Sequence, residues 1–294
     1  QASAVECYVE VGLMTSTDRN YFERVEICMG TTFRFAGRSE LVEVEVQNIL
    51  SQACEILHEA DRTFSLYKSD SPLSRLARGE TRLAECPPVV AEIWDACDEW
   101  EKRTDGWFSA MTPQNTFDPS GVIKTWAAKR AADYILQAGI IDFTMNAGGD
   151  VWLSDELTSD QEWRIAISKP ISIASPDHAI LTVIDLKNTD YRALATSGSA
   201  ERGDHIWNPK AAGKSAPTDL VQVSVVAKDL VTADVWATAA FAAGTRGIPL
   251  LEAVDGIEAL FILANGDLAA TQNFTKYLAL PLYPWVAKHS LTTP

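Results

Sequence analysis

Four strand-like segments follow one another through the chain, at 163–168, 179–186, 191–196 and 220–227, with no helical stretch between them. Parallel neighbours need a crossover of a dozen or more residues, usually a helix. Strands in direct succession therefore pair antiparallel. The chain is predicted to be α+β, antiparallel sheets flanked by helices, rather than doubly wound. Helical periodicity marks 39–60, 87–103 and 122–136, the second opening on prolines and followed by Gly106. Alternation of Val25, Ile27, Met29, Thr31, Phe33 and Phe35 predicts one strand over 24–35. A strand at 256–263 closes on Asn265-Gly266, a hairpin signal. No Gly/Ser/Pro-rich linker divides the 294 residues. One domain is expected over 1–294, with 170–176 the best place for an excursion.

Composition excludes some function classes. A formal charge of −15 argues against a nucleic-acid partner, which needs a basic footprint. Any phosphorylated ligand would need a local cation against that field. No apolar run reaches the length of a membrane span. The five cysteines, Cys7, Cys28, Cys54, Cys86 and Cys97, show neither a CxxC nor zinc-like spacing with the four histidines. Buried thiols in a reducing compartment are expected. The opening QASAVECYVEVG has no basic segment followed by an apolar one, and Cys7 lacks the small-residue context of a lipobox. A cytoplasmic location is the expectation.

The stretch VTADVWATAAF at 231–241 reads as a helix that is small and apolar nearly throughout. Asp234 and Thr238, four apart, stack on one face of it. One reading makes Thr232 an N-cap, Asp234 a first-turn acid and Thr238 a hydroxyl bonded to its own backbone. The other makes the two oxygens a partial ligand set for a hard cation such as Mg²⁺. Three loops add polar chemistry. In FDPSGVIK, 117–124, an acid and a glycine lead into a helix whose first turn holds Lys124, either an ordinary cap or an anion site. In MNAGGDVW, 145–152, two glycines follow a strand, as in a tight turn or a ligand loop. In the long segment 195–216, His205 stands among polar residues with Pro209 and Lys210 beyond it.

Taken in order, these blocks resemble the ApbE family of FAD:protein FMN transferases. MGTTFRF at 29–35, FSLYKSDSPLSRL at 64–76, TDGWF at 104–108, DPSGVIK at 118–124, NAGGDV at 146–151, SG at 197–198, HIWNP at 205–209 and ADVWAT at 233–238 carry the likeness. Trp163 and Pro170 match a Trp and a Pro of the family. The resemblance implies an ApbE-like fold related to the T-fold. It also implies a reaction that moves FMN from FAD to a Ser or Thr hydroxyl of an acceptor flavoprotein and releases AMP. It makes Asp234, Thr238 and the carbonyl of Gly121 ligands of Mg²⁺. Met29, Tyr67, Gly106, Trp107, Phe108, Asp118, Lys124, His205 and Ile206 would line the flavin nucleotide. His205, with an intrinsic pKa near neutrality, is the expected base for the attacking hydroxyl, and Asp234 works with it through the metal.

The chain departs from the family pattern at several places. Thr125 follows the loop lysine where a glycine is usual, and Lys129 stands where an acid is usual. Ser199 and Ala200 follow the Ser-Gly pair, Asp204 precedes the histidine, and Ser109 follows the Gly-x-Phe motif. The connection from Ser109 to Asp118 is much shorter than in typical members. Trp107 is expected to cover the adenosine end of FAD in compensation. Two other readings stand beside the transferase: an FAD pyrophosphatase, with water in place of the acceptor, and a non-catalytic FAD-binding protein.

Overall fold

The computed structural model describes residues 20–170, 180–198, 206–211, 217, 219–280 and 291–292. The chain opens on a hairpin, β1 (Tyr21–Cys28) and β2 (Thr31–Arg38), followed by α1 (Glu43–Phe64), a short α2 (Pro72–Ala77), α3 (Pro88–Arg103) and α4 (Ser120–Gln137). A second hairpin, β3 (Asp142–Ala147) and β4 (Asp150–Leu153), precedes β5 (Arg164–Ser168), β6 (Ile180–Asp185), β7 (Ala193–Gly198) and β8 (Leu220–Ala227). Next come α5 (Leu230–Ala243), α6 (Gly247–Glu252), β9 (Ile257–Leu263), β10 (Leu268–Ala270) and β11 (Leu291–Thr292).

One sheet of nine strands runs β1-β2-β3-β4-β7-β8-β9-β10-β11, and β5 and β6 form a separate pair. Every pairing is antiparallel except β10 with β11. The antiparallel α+β expectation holds. Strand alternation divides the central strands between two cores. Ala193, Ala195, Val223, Val225 and Ala227 face the helices with α1, α4 and α5. Leu194, Val226, Leu260 and Ile262 point the other way, onto Ile165, Ile167, Leu181 and Ile184 of the β5–β6 pair. The large sheet is thus the middle of three layers. Among the described residues no helix is long and apolar enough to cross a membrane.

The first strand expectation needs correction. What alternates over 24–35 is a hairpin with a two-residue turn at Met29 and Gly30, both at positive φ. Pairing Val25 with Arg34 and Ile27 with Thr32 reverses the parity across the turn. Phe33 and Phe35 enter the core, while Val25 and Ile27, 51% and 76% exposed, face outward. The sequence pattern ran unbroken through the turn because a two-residue turn keeps the spacing of two.

Cys28, Cys54, Cys86 and Cys97 are free thiols. Burial pushes Cys28 and Cys54 up to about 11 and Cys97 up to about 12, as expected for inert interior sulfurs. Cys7 and residues 171–176 of the anticipated excursion lie outside the described residues.

Candidate functional site

Eleven of the fourteen residues of α5 are buried, so its one carboxylate had to be buried with them. The helix is capped by Asp229, whose side chain accepts from the Thr232 amide at 2.9 Å and from the Thr232 hydroxyl at 2.5 Å. Thr232 is therefore not the cap, and Asp234 is not a capping acid. Asp234 instead faces α4, where the buried Thr125 hydroxyl donates to Asp234 Oδ2 at 3.0 Å and Lys124 Nζ stands 3.8 Å from the same oxygen.

Lys124 also donates to Asp150 Oδ2. Asp150 reaches this point because Gly148 and Gly149, both at positive φ, make a two-residue turn from β3 to β4. The plain-turn reading of that loop is correct as geometry, yet the turn delivers an acid to the site. The other Asp150 oxygen accepts from the Thr196 amide of β7 at 3.0 Å. One turn on from Asp234, the Thr238 hydroxyl meets Ser197 Oγ at 3.3 Å.

Of these, Lys124, Thr196, Ser197, Asp234 and Thr238 line an open cleft of about 870 Å³, counted with the solvent that enters it, while Asp150 and Thr125 stand behind its wall. Trp107, Phe108, Asp118, Gly121, Lys124, Ile206, Asp234 and Thr238 all stand on its wall. Eight of the residues expected at a flavin-nucleotide site are thus brought together from four separate segments. Asp118 accepts from the Ser120 amide at 3.0 Å and holds the start of α4. The short 109–118 connection folds back on itself, with Met111 bridged to Phe117 and the Asp118 amide bonded to the Ala110 carbonyl at 2.7 Å.

Three expected residues do not line the cleft. Met29 occupies the β1–β2 turn and packs on the helix-side core. Tyr67 is fully exposed. Gly106 lies one residue off the wall, beside the Lys210 stem. His205 lies outside the described residues. Trp107 is on the wall but only 8% exposed. Lys210 Nζ and Arg246 Cζ each stand 4.6 Å from its ring centroid, so cations already occupy surface expected to meet an adenine. Sequence reading missed Asp150, Thr125 and Ser197 as site residues, although each sits inside or beside a quoted motif.

The electrostatics fit a hard cation. Among Lys124, Asp150 and Asp234, one ammonium faces two buried carboxylates, which leaves net negative charge in these three groups. The oxygens of Asp234, Thr238 and Ser197 belong to hard-donor side chains that line the cleft. Among the described residues there is no cluster of three or more His, Cys, Asp or Glu that could hold a metal, so any ion here needs oxygens from elsewhere.

The chain resembles known proteins in both sequence and fold. The sequence profile of the ApbE family matches residues 29–113 and 109–261. An FAD:protein FMN transferase of Vibrio cholerae is 31% identical over 185 residues, 60% of this chain and 52% of that protein. One from Klebsiella pneumoniae is 27% identical over 53% of this chain and 48% of its own length. The chain spans about half the length of these curated relatives. The solved flavin transferase ApbE of Vibrio cholerae superposes with a TM-score of 0.73 at 23% identity, covering 88% of this chain and 99% of that one. The ApbE protein of Thermotoga maritima gives 0.71 at 20% identity over 87% and 99%. These structural likenesses carry the fold, and the profile match carries the kinship: the chain belongs to the ApbE family.

Proposed function

We propose that this protein is an Mg²⁺-dependent FAD:protein FMN transferase that moves FMN from FAD to a Ser or Thr hydroxyl of an acceptor protein and releases AMP. The observation that supports this reading best is the buried Asp234 carboxylate and Thr238 hydroxyl on one wall of the cleft, beside Lys124. The curated relatives are named for the same reaction class.

The acceptor oxygen attacks the phosphorus of the FMN half, the anhydride P–O bond breaks, and AMP leaves with the bonding pair. The hydroxyl proton passes to a base, for which His205 is our candidate. Such a step depends on charge neutralisation and alignment more than on covalent help. Asp234, Thr238 and the Gly121 carbonyl would hold Mg²⁺, with phosphate oxygens and water completing the shell. Bound there, the ion supplies Lewis-acid polarisation of the phosphoryl oxygens. Lys124 adds positive charge against the −15 background, held in place by Asp150. Phe108 and Ile206 give the cleft apolar wall for a ring system.

The test is to incubate the protein with FAD, Mg²⁺ and a flavinylatable acceptor domain, and to follow flavin by mass and chromatography. FMN fixed covalently to the acceptor is expected. Free FMN and AMP would make the protein an FAD pyrophosphatase, and intact, tightly held FAD would make it a carrier. Asp234→Asn should slow transfer by about 3 kcal/mol in barrier, roughly a hundredfold. An unchanged rate in that variant removes the metal role from Asp234.

A further inference from the structure

We infer that Thr125 is a positioning residue that makes Asp234 a one-oxygen ligand and so favours a small octahedral cation over a larger one. The inference rests on the metal reading of the cleft given above and adds a residue to it. Thr125 is 0% exposed, in the first turns of α4, and does not itself line the cleft; it meets the wall from behind, at Asp234. Its hydroxyl has one hydrogen and two acceptors in reach, Asp234 Oδ2 at 3.0 Å and the Val122 carbonyl at 3.3 Å. The carboxylate is the nearer and the charged one, and charge-assisted bonds are the stronger.

The consequence follows from where the contacts fall. Both the Thr125 hydroxyl and the Lys124 ammonium approach Oδ2, at 3.0 and 3.8 Å. An oxygen that already accepts a hydrogen bond and lies near an ammonium is a poor partner for a second cation. The carboxylate then meets a metal through one oxygen, in an orientation set by α4. Mg²⁺ and Mn²⁺ suit one-oxygen carboxylates in compact octahedral shells, whereas Ca²⁺ readily takes both oxygens in a larger, looser shell. The packing of α4 against α5 thus bears on metal choice through a side chain that never reaches the metal.

The experiment titrates Mn²⁺ into the FAD-loaded protein, reading free Mn²⁺ by electron paramagnetic resonance, with Ca²⁺ as competitor. Thr125→Val keeps the shape and removes the donor, and Thr125→Ser keeps the donor. Loss of an outer partner typically weakens metal binding by about 10- to 100-fold. Thr125→Val is expected to lose about tenfold in Mn²⁺ affinity and distinctly less in Ca²⁺ affinity, with Thr125→Ser close to wild type. Thr125→Ala is the second deletion should the valine fail to fold. Unchanged Mn²⁺ affinity in the folded deletion variants overturns the inference, whatever happens to their stability. Equal losses of both ions, or a serine variant as weak as the valine, overturn it too. If wild type itself binds no Mn²⁺, the metal reading falls and this inference with it. If wild type binds and only the valine variant matches it, the inference alone fails.

Discussion

Lys124 shows how much a single side chain is asked to do. Its ammonium is bonded to Asp150, which is 1% exposed, and lies 3.8 Å from Asp234. Removing one partner of a buried pair leaves a charge stranded, at a cost of about 3–5 kcal/mol. Lys124→Met should therefore destabilise the fold by about 3 kcal/mol, read by urea unfolding, as well as weaken FAD binding. Asp150→Asn in the same chain should recover much of the stability, because the amide no longer needs the ammonium, but none of the FAD affinity. A double variant that recovers neither would show that Lys124 matters through packing and not through its charge.

At the scale of elements, the sheet is built on close approach. A Cβ added at Gly37 of β2 would lie 2.1 Å from the Asp142 carbonyl oxygen and 2.6 Å from the Phe143 Cα, both backbone atoms of β3. Backbone has little room to move, so Gly37→Ala should lose about 3 kcal/mol or more in chemical denaturation. A loss under about 0.5 kcal/mol would mean that the two strands separate more easily than their pairing implies. The same scale shows what was legible in the sequence. Asp234 and Thr238 stood out because a carboxylate in an apolar helix breaks its own pattern, and Lys124 because it opened a helix after a turn. The Thr125–Asp234 bond spans 109 residues of chain and exists only because α4 lies on α5. No local pattern carries that. The β1–β2 hairpin was read as one strand because its turn preserves the alternation, and only the pairing reveals which face is which. Trp107 was legible as a cleft residue, but the cations over its ring come from Lys210 and Arg246, far along the chain.

On the scale of the whole molecule, the chain puts α4, α5, β7 and residues 107–109 around one cleft in a protein of formal charge −15. Such a field repels a dinucleotide until local cations offset it. In the proposed reading the offset comes from Lys124 and from a divalent ion held at α5. The central claim is therefore the location of the ion. Crystals of the protein soaked with FAD and Mn²⁺, measured near the manganese absorption edge, test it by anomalous difference density. The account predicts a single strong peak within about 2.0–2.3 Å of an Asp234 oxygen, with Thr238 and the Gly121 carbonyl as its neighbours and the FAD phosphates against it. A peak elsewhere, or FAD bound in the cleft with no ion at Asp234, would contradict the account.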